Sequence, residues 1–465
     1  MPSMSEFTAS GLTSLAWSFA ELRSQDSPLI ASIAAAAIST QELAPKGIMD
    51  IAWACASSRM ADAPLLAAIS AASLRRIQSS RTKELAGTAW AFASLAFVDE
   101  PLWDAISSAA IQRCSRGPGL ASPASSVPDR DLRELREGPV TTMMLAHALS
   151  TVGRLEGEPL SALSRHLSRL GSEMDAELSG TVTDEEQPAS GDLGSEGDDV
   201  PRILFEDSKV CVLWKPPGWS VTVDVKDGTG LAIDNEDEPS PPSKYIGEGP
   251  QLQEWIMQKM SQYPIAMDPG SQHGLLHRLD RFTSGLLLCA KTYRAYYSAR
   301  LEFYRRQVRK EYVCVCHGHV PRDIGALTAP LKVEDEAVGW RTVAAEDGIR
   351  AHTEVLDVGH LATPDGTAWS IVEVRILTGR RHQIRAHFAD AGFPLLSDIL
   401  YGGERPPWCP RIFLHAHRLA VSVCDDMVDT SCPLPADLRD ALAALEAVDV
   451  DSMKLLSRWR GEDGH

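Results

Sequence analysis

A polar loop followed by an apolar run, within residues 277–290, has the residue types needed for acid–base chemistry. Asp280 lies between Arg278 and Arg281, and the apolar run 285–290 follows. Such a run predicts a buried strand, and a carboxylate beside a buried strand is held rigidly enough for catalysis. A neighbouring arginine would favour its ionised form. Taken alone, however, these residue types favour an ordinary surface salt-bridge loop.

Positive charge is concentrated near this loop, although the net charge of the chain is −18. Such a negative total is unusual for a protein that contacts phosphates, but its distribution is uneven. Residues 171–200 hold ten acidic and no basic residues, whereas 278–310 hold nine basic and two acidic ones. The latter segment predicts a positive stripe on the surface. Its basic residues are Arg278, Arg281, Lys291, Arg294, Arg300, Arg305, Arg306, Arg309 and Lys310.

The nine cysteines are scattered, which favours reduced thiols over a disulfide framework. Cys314, Cys316, His317 and His319 are the residue types of a metal site, but a second ligand cluster at zinc-finger spacing is missing. Alternation over 312–316 instead predicts a strand in which the cysteines act as small apolar residues. We therefore expect no metal.

An internal repeat marks the first 170 residues. Trp17, Trp53 and Trp90 are 36 and 37 residues apart, and each is followed eleven residues later by a proline–leucine pair. A degraded fourth copy has His147 in the tryptophan position and Pro159 twelve residues further on.

Each copy predicts a helical hairpin, because proline is well tolerated in the first turn of a second helix. We expect the tryptophans to fill the core between hairpins, and the hairpins to stack into a solenoid, since one alone cannot bury its apolar face. The period resembles that of octotricopeptide and pentatricopeptide arrays, many of which bind RNA. An RNA-binding array and a protein-binding scaffold both remain open.

Composition divides the chain into four parts. We predict an all-α helical-repeat solenoid over 1–170, an acidic disordered linker over 171–200, a mixed α/β domain over 201–446 and a C-terminal tail over 447–465. Residues 224–250, rich in acids and prolines, read as an insertion within the third part.

Four ordered segments between about residues 203 and 445 resemble the motifs of the RluA-type RNA pseudouridine synthases. They are Lys215-Pro216-Pro217-Gly218, His277-Arg278-Leu279-Asp280 with Thr283-Ser284-Gly285, Lys310-Glu311-Tyr312, and Thr378-Gly379-Arg380 with His382-Gln383-Ile384-Arg385 and His387. The resemblance implies an α+β fold with a largely antiparallel sheet and a central catalytic cleft. It also implies an isomerase that converts uridine in RNA to pseudouridine, for which no cofactor is expected.

The resemblance further assigns roles to single residues. It implies that Asp280 is the catalytic carboxylate, that Arg385 is its partner, and that Tyr312 packs on the target base and assists proton removal. It also suggests a set of candidate substrate-binding residues, two of which, Lys215 and His277, we expect chiefly to support the loop. The set is Arg278, His277, Lys215, Arg380 and His382.

Two positions depart from the family pattern: Phe282 stands where an acid is usual, and Arg381 where threonine is commoner. We expect Phe282 to threaten loop geometry more than chemistry. Together with the acidic insertion, it motivates an alternative, a catalytically silent RNA-binding or assembly factor built on a synthase domain.

The expected partners are RNA, whether ribosomal, transfer or messenger, and a protein bound through the repeats. No apolar run is long enough to predict a membrane span. The N-terminus resembles neither a signal nor a transit peptide, so the default expectation is a cytoplasmic or nuclear location. An organellar location stays open if sequence precedes Met1.

Overall fold

The computed structural model describes residues 7–22, 27–39, 43–115, 132–179, 198–221, 249–336 and 339–462. The chain forms two compact units, Met1–Met174 and Asp175–His465. Most of the expected acidic linker and of the expected insertion lies outside the described residues. The described beginning of the linker is helical, because the last helix of the repeats continues to Ser179. Within the described ranges, no helix is long and apolar enough to span a membrane.

The N-terminal part is helical, as predicted. Its helices are α1 (Ala9–Glu21), α2 (Ser27–Ser39), α3 (Pro45–Ser57), α4 (Ala63–Arg76), α5 (Thr82–Ser94), α6 (Glu100–Ser115), α7 (Leu132–Thr151) and α8 (Gly157–Ser179). Each proline–leucine pair lies in the first turn of an even-numbered helix. At α4 the side chain of Asp62 also accepts a hydrogen bond from the backbone of Leu65, which caps the helix. Odd helices pack on odd ones, α1 on α3, α3 on α5 and α5 on α7.

The repeat tryptophans do not fill the helical core, contrary to our expectation. Trp17 is 42% exposed and stacks on the half-buried Trp53 with a centroid distance of 5.9 Å. The odd helices approach one another closely: a Cβ added to Gly87 of α5 would lie 2.7 Å from the side chain of Met49 in α3. Alanines and branched aliphatic side chains form most of the buried layer instead, together with Phe92 and Trp103.

The C-terminal unit is built on a mixed, largely antiparallel sheet, in agreement with the predicted fold class. Its strands are β1 (Arg202–Glu206), β2 (Val210–Lys215), β3 (Ser284–Ala290), β4 (Arg309–His317), β5 (Ala326–Leu327), β8 (Thr353–Ala362), β9 (Ala368–Ile376), β10 (Leu414–Val423), β11 (Asp426–Ser431) and β12 (Glu446–Ala447), while β6 (Leu331–Glu336) and β7 (Gly339–Ala344) form a separate hairpin. The central order is β1-β2-β3-β10-β4-β9-β8-β12. Among the described strands the pairing of β3 with β10 is parallel and the others are antiparallel.

Both faces of the sheet are covered. The helices of this unit are α9 (Leu252–Lys259), α10 (Tyr293–Tyr304), α11 (Gln383–Asp390), α12 (Ala436–Leu442) and α13 (Val450–Arg460). Residues alternate along β4, as predicted for 312–316, so that Cys314 joins the core on one face and Val315 the core on the other. Leu455 and Trp459 of α13 belong to the second core. The segment 447–465, which we expected to be a tail, is therefore largely part of the folded unit.

Position 285, at the start of the apolar run after the polar loop, has room only for glycine. Its φ is +131°, and a Cβ at this position would lie 2.2 Å from the carbonyl oxygen of Ala416. The absence of a side chain lets β3 approach β10 closely enough to form the parallel pair. The loop that carries Asp280 is thereby fixed to the centre of the sheet.

Candidate active site

A buried lysine holds the loop of Asp280 from behind. The Nζ atom of Lys215, at the end of β2, donates to the carbonyl oxygens of Pro216, Arg281 and Thr283 at 2.9, 3.0 and 2.8 Å. Burial lowers the pKa of this ammonium to about 7. The residue is fully buried, which fits the expected support of the loop better than contact with RNA. These three carbonyl partners lie within the protein, so the side chain of Lys215 is placed to hold the loop.

His277 also supports the loop from the protein side. Its Nε2 accepts a hydrogen bond from the backbone of Leu288 at 3.0 Å, and its ring packs on Phe303. Burial lowers the pKa of His277 to about 3, so the ring is neutral at physiological pH. The residue lines the pocket but is 3% exposed. A supporting role therefore fits its surroundings better than contact with RNA.

Arg385 of α11 connects two carboxylates at the centre of the site. Its Nε and Nη2 donate to the two oxygens of Asp398 at 2.7 and 2.8 Å, and its Nη1 donates to Oδ2 of Asp280 at 3.2 Å. Asp398 has no exposed surface, while Asp280 retains 19% of its side-chain surface. The bidentate pair with Asp398 fixes the plane of the guanidinium. The remaining nitrogen is thereby directed at Asp280.

The charges around Asp280 keep its carboxylate ionised. Burial by itself would raise its pKa, but neighbouring positive groups hold the pKa well below its ordinary value. Burial lowers the pKa of the nearby His382 to about 3. Since that ring is neutral near pH 7, we attribute the effect on Asp280 to Arg385 and Arg278. The result is a carboxylate that is charged and partly accessible.

The other predicted residues meet Asp280 in one pocket. His382 precedes α11 and places its Nε2 atom 3.9 Å from Oδ2 of Asp280. Tyr312 extends from β4 on the side of the sheet that faces the pocket. The lining residues are His277, Arg278, Leu279, Asp280, Thr283, Lys310, Tyr312, Ile376, Gly379, Arg380, Arg381, His382, Gln383, Ile384, Arg385 and Leu414.

The predicted positive stripe is not a single surface. Arg309 pairs with Glu311 on the sheet face opposite Tyr312, because neighbours on a strand point to opposite sides. Arg300 is buried against tyrosines, and Lys291 pairs with Glu206. Strand periodicity and burial separate residues that are close in the sequence, so a run of basic residues does not form one surface here.

A different basic cluster borders the pocket. The pKa of Arg306 is lowered, first by burial and then by the charges of Arg380 and Arg350. Nε of Arg380 donates to the carbonyl oxygen of Arg350 at 3.4 Å, so the two residues are neighbours although 30 positions apart. Arg278 is exposed at the pocket. Arg350 was missed by sequence reasoning because it lies outside every motif.

Phe282 leaves the geometry of the loop intact. Its side chain is 47% exposed and lies beside the guanidinium of Arg281. Its carbonyl oxygen accepts a hydrogen bond from Nη1 of Arg411 at 3.0 Å, and the backbone of Thr283 donates to that of Asp280. An aromatic side chain that points away from these bonds does not distort them.

Comparison with known proteins identifies the C-terminal unit. Residues 257–390, which include Asp280, Tyr312, His382 and Arg385, match the RNA pseudouridylate synthase family. A protein of Zymomonas mobilis named an uncharacterized RNA pseudouridine synthase is 31% identical over 244 residues, covering 51% of this chain and 96% of that protein. The chain belongs to the RNA pseudouridine synthase family. The family matched is the RluA type, and its members are isomerases.

The matches to other relatives of the synthase cover different shares of those proteins. The ribosomal large subunit pseudouridine synthase D of Nitrosomonas europaea is 28% identical over 267 residues, covering 55% of this chain and 68% of that protein. The chain spans 56% of an uncharacterized RNA pseudouridine synthase of Mycobacterium bovis, which is 34% identical over 182 residues, 37% of this chain. The solved structure of human RNA pseudouridylate synthase domain containing 1 aligns at a TM-score of 0.40 with 21% identity, covering 57% of this chain and 96% of that one.

The buried ammonium of Lys215 predicts a pH-dependent stability of the synthase. Its pKa is about 7 in the folded protein and about 10.4 in an unfolded chain. Between these values the unfolded chain holds a proton that the folded protein has released, so the free energy of unfolding rises with pH. We expect this residue to increase the free energy of unfolding by at most about 1.4 kcal/mol for each pH unit in this range. Urea unfolding of the wild type and Lys215→Met at pH 7, 8 and 9 measures the contribution.

The wild type should gain stability relative to Lys215→Met as the pH rises, whereas the exposed Lys259→Met should follow the wild type. Parallel curves for the wild type and Lys215→Met would mean that this ammonium keeps its ordinary pKa in the fold.

Proposed function

We propose that the synthase isomerises uridines in RNA with Asp280 as the carboxylate that acts on the nucleoside, at the ribose or at the base. The observation that carries this proposal is the chain of contacts from Asp398 through Arg385 to Asp280. It keeps one carboxylate ionised and aimed into a pocket that Tyr312 also lines. These groups suit a rearrangement that needs neither a redox partner nor a group donor.

The reaction exchanges one bond to the ribose for another. The bond between N1 of the base and C1′ breaks, the base turns, and C5 bonds to C1′. The proton on C5 is then lost and N1 gains one, so the product is an isomer of the substrate. Tyr312 would pack on the base and assist proton removal, in keeping with the role that the family resemblance implies.

The target uridine must leave its stack to reach Asp280. Arg278, exposed two residues before Asp280, would hold the flipped nucleotide or fill the space it leaves. Arg380 and His382 line the same pocket, which suits contacts with the nucleotide or its phosphate. The exposed guanidiniums at the entrance supply positive charge for the RNA backbone.

Asp280→Asn should lower turnover on the order of 1000-fold or more, while binding RNA about as well, because the amide fills the same space without the charge. The measurement is tritium release from RNA labelled with [5-³H]uridine and prepared from cells that lack the gene. Asp429→Asn on β11, which removes an exposed carboxylate, is the matched control. A wild type with no release and no lost pseudouridine in the deletion strain would instead support the silent RNA-binding alternative.

Arg350 should contribute to RNA affinity through phosphate contact. We expect Arg350→Ala to make the negative slope of log affinity against log salt shallower by about 1, because one fewer counterion is released on binding. The probe is the same RNA, titrated by filter binding at several salt concentrations. Arg439→Ala removes the same exposed charge near the opposite sheet face and should keep the wild-type slope. Equal slopes for both variants would exclude Arg350 from the RNA-binding surface.

For the helical repeats we propose a recruiting role, toward the substrate RNA or toward a protein partner. The exposed Trp17, stacked on the half-buried Trp53, provides a surface suited to either. Ultraviolet crosslinking of the full chain to the labelled RNA, followed by peptide mapping, distinguishes the two. Crosslinks within residues 7–179 favour RNA, and crosslinks confined to the catalytic unit favour a protein partner.

A further inference from the structure

Tyr401 contacts two residues that face Asp280, His382 and Arg385, without lining the pocket itself. It lies in a short 3₁₀ turn, Ile399–Tyr401, and is almost completely buried. The guanidinium carbons of Arg341 and Arg385 lie 5.0 and 4.9 Å from its ring centroid. The ring is therefore held between the hairpin of β6 and β7 and the arginine that contacts Asp280.

The hydroxyl of Tyr401 has two described partners. It accepts a hydrogen bond from the backbone N–H of Thr342 at 3.0 Å, and it lies 3.1 Å from Nδ1 of His382. The amide can only donate, so the proton of the hydroxyl is free to be donated to Nδ1. Since each nitrogen of a neutral imidazole either donates or accepts, this bond decides which one carries the ring proton.

The second ring nitrogen of His382 faces a negative charge. Its Nε2 lies 3.9 Å from Oδ2 of Asp280. An unprotonated Nε2 would direct a lone pair at the carboxylate, whereas a protonated one directs a positive N–H dipole at it. Both sides of the ring thus favour the same tautomer, with Nδ1 accepting from Tyr401 and Nε2–H directed toward Asp280.

The backbone of His382 shows that this placement is imposed. Its φ is +51°, in the left-handed region that residues with a side chain seldom adopt. Such strain persists where the surroundings over-determine a conformation, and it is concentrated at functional sites.

We propose that Tyr401 is a positioning residue that holds His382 in its Nε2–H tautomer. His382 and Arg385 then both direct N–H groups at Oδ2 of Asp280 and leave Oδ1 as the reacting oxygen. Among the described residues, the side-chain hydrogen bond that Asp280 accepts comes from Arg385 and is made to Oδ2. The proposal rests on the proposed function of Asp280 but concerns a different residue and a ground-state property of the ring.

Tyr401→Phe removes the hydroxyl and keeps the ring between the two arginines. We expect the single-turnover rate on the [5-³H]uridine-labelled RNA to fall about 10- to 100-fold, with KM changed less than about threefold. Tyr263→Phe, a partly buried tyrosine outside the pocket, is the matched control and should retain the wild-type rate. His382→Gln, whose amide N–H can replace Nε2–H, should retain more activity than His382→Ala.

Nitrogen-15 spectra of the ring-labelled histidines in the free synthase give a readout independent of activity, with His382→Gln assigning the signal. The wild type should show a protonated Nε2 at His382, and Tyr401→Phe should show a mixture of tautomers. An unchanged rate in Tyr401→Phe, a protonated Nδ1 in the wild type, or a lower rate with an unchanged tautomer overturns the proposal. If the wild type lacks activity, the proposed function fails and the spectra alone decide the tautomer.

Discussion

The site depends on one guanidinium placed between two carboxylates of different accessibility. An isolated buried charge is costly, and Arg385 would be such a charge without Asp398. Because Asp398 is fully buried and accepts hydrogen bonds through both oxygens, it both neutralises the charge of Arg385 and fixes the orientation of its guanidinium. The remaining N–H then meets Asp280 at a defined angle. The loop of Asp280 is held from its other side by Lys215, which bonds to backbone carbonyls that would otherwise be buried without partners.

Two histidines show how one residue type serves different purposes in this unit. His277 packs on the ring of Phe303 and uses its ring nitrogen to hold a strand backbone. His382 lies against charged and polar groups, and its ring separates a carboxylate from a phenol. Burial lowers the pKa of both to about 3. Neither ring therefore offers a positive charge to RNA, and that task is left to the exposed arginines.

The motifs in the sequence predicted the enzyme half well, because each is a short segment whose residues share one local environment. Asp280, Tyr312 and Arg385 meet in one pocket, as the resemblance implied. Spacing could not reveal that Lys215 is buried, since burial depends on a loop 66 residues away. The positive stripe failed for a related reason: Arg309 and Lys310 are adjacent in the chain but lie on opposite faces of β4. The tryptophan repeat predicted a helical N-terminal part, yet its period could not show that Trp17 lies on the surface, since exposure depends on how the helices pack.

The position of β10 has a consequence for how the enzyme comes into being. In the sheet, β10 separates β3, which follows the Asp280 loop, from β4, which carries Tyr312. In the chain, β10 begins at Leu414, after all of these residues have been made. A ribosome that has synthesised Asp280, Tyr312 and Arg385 has therefore produced two half-sheets without the strand that joins them. Pairings between such distant segments slow folding, and the exposed edges of β3 and β4 are open to wrong partners until β10 arrives. A nascent chain thus carries all three of the proposed catalytic groups well before the pocket that they line can form.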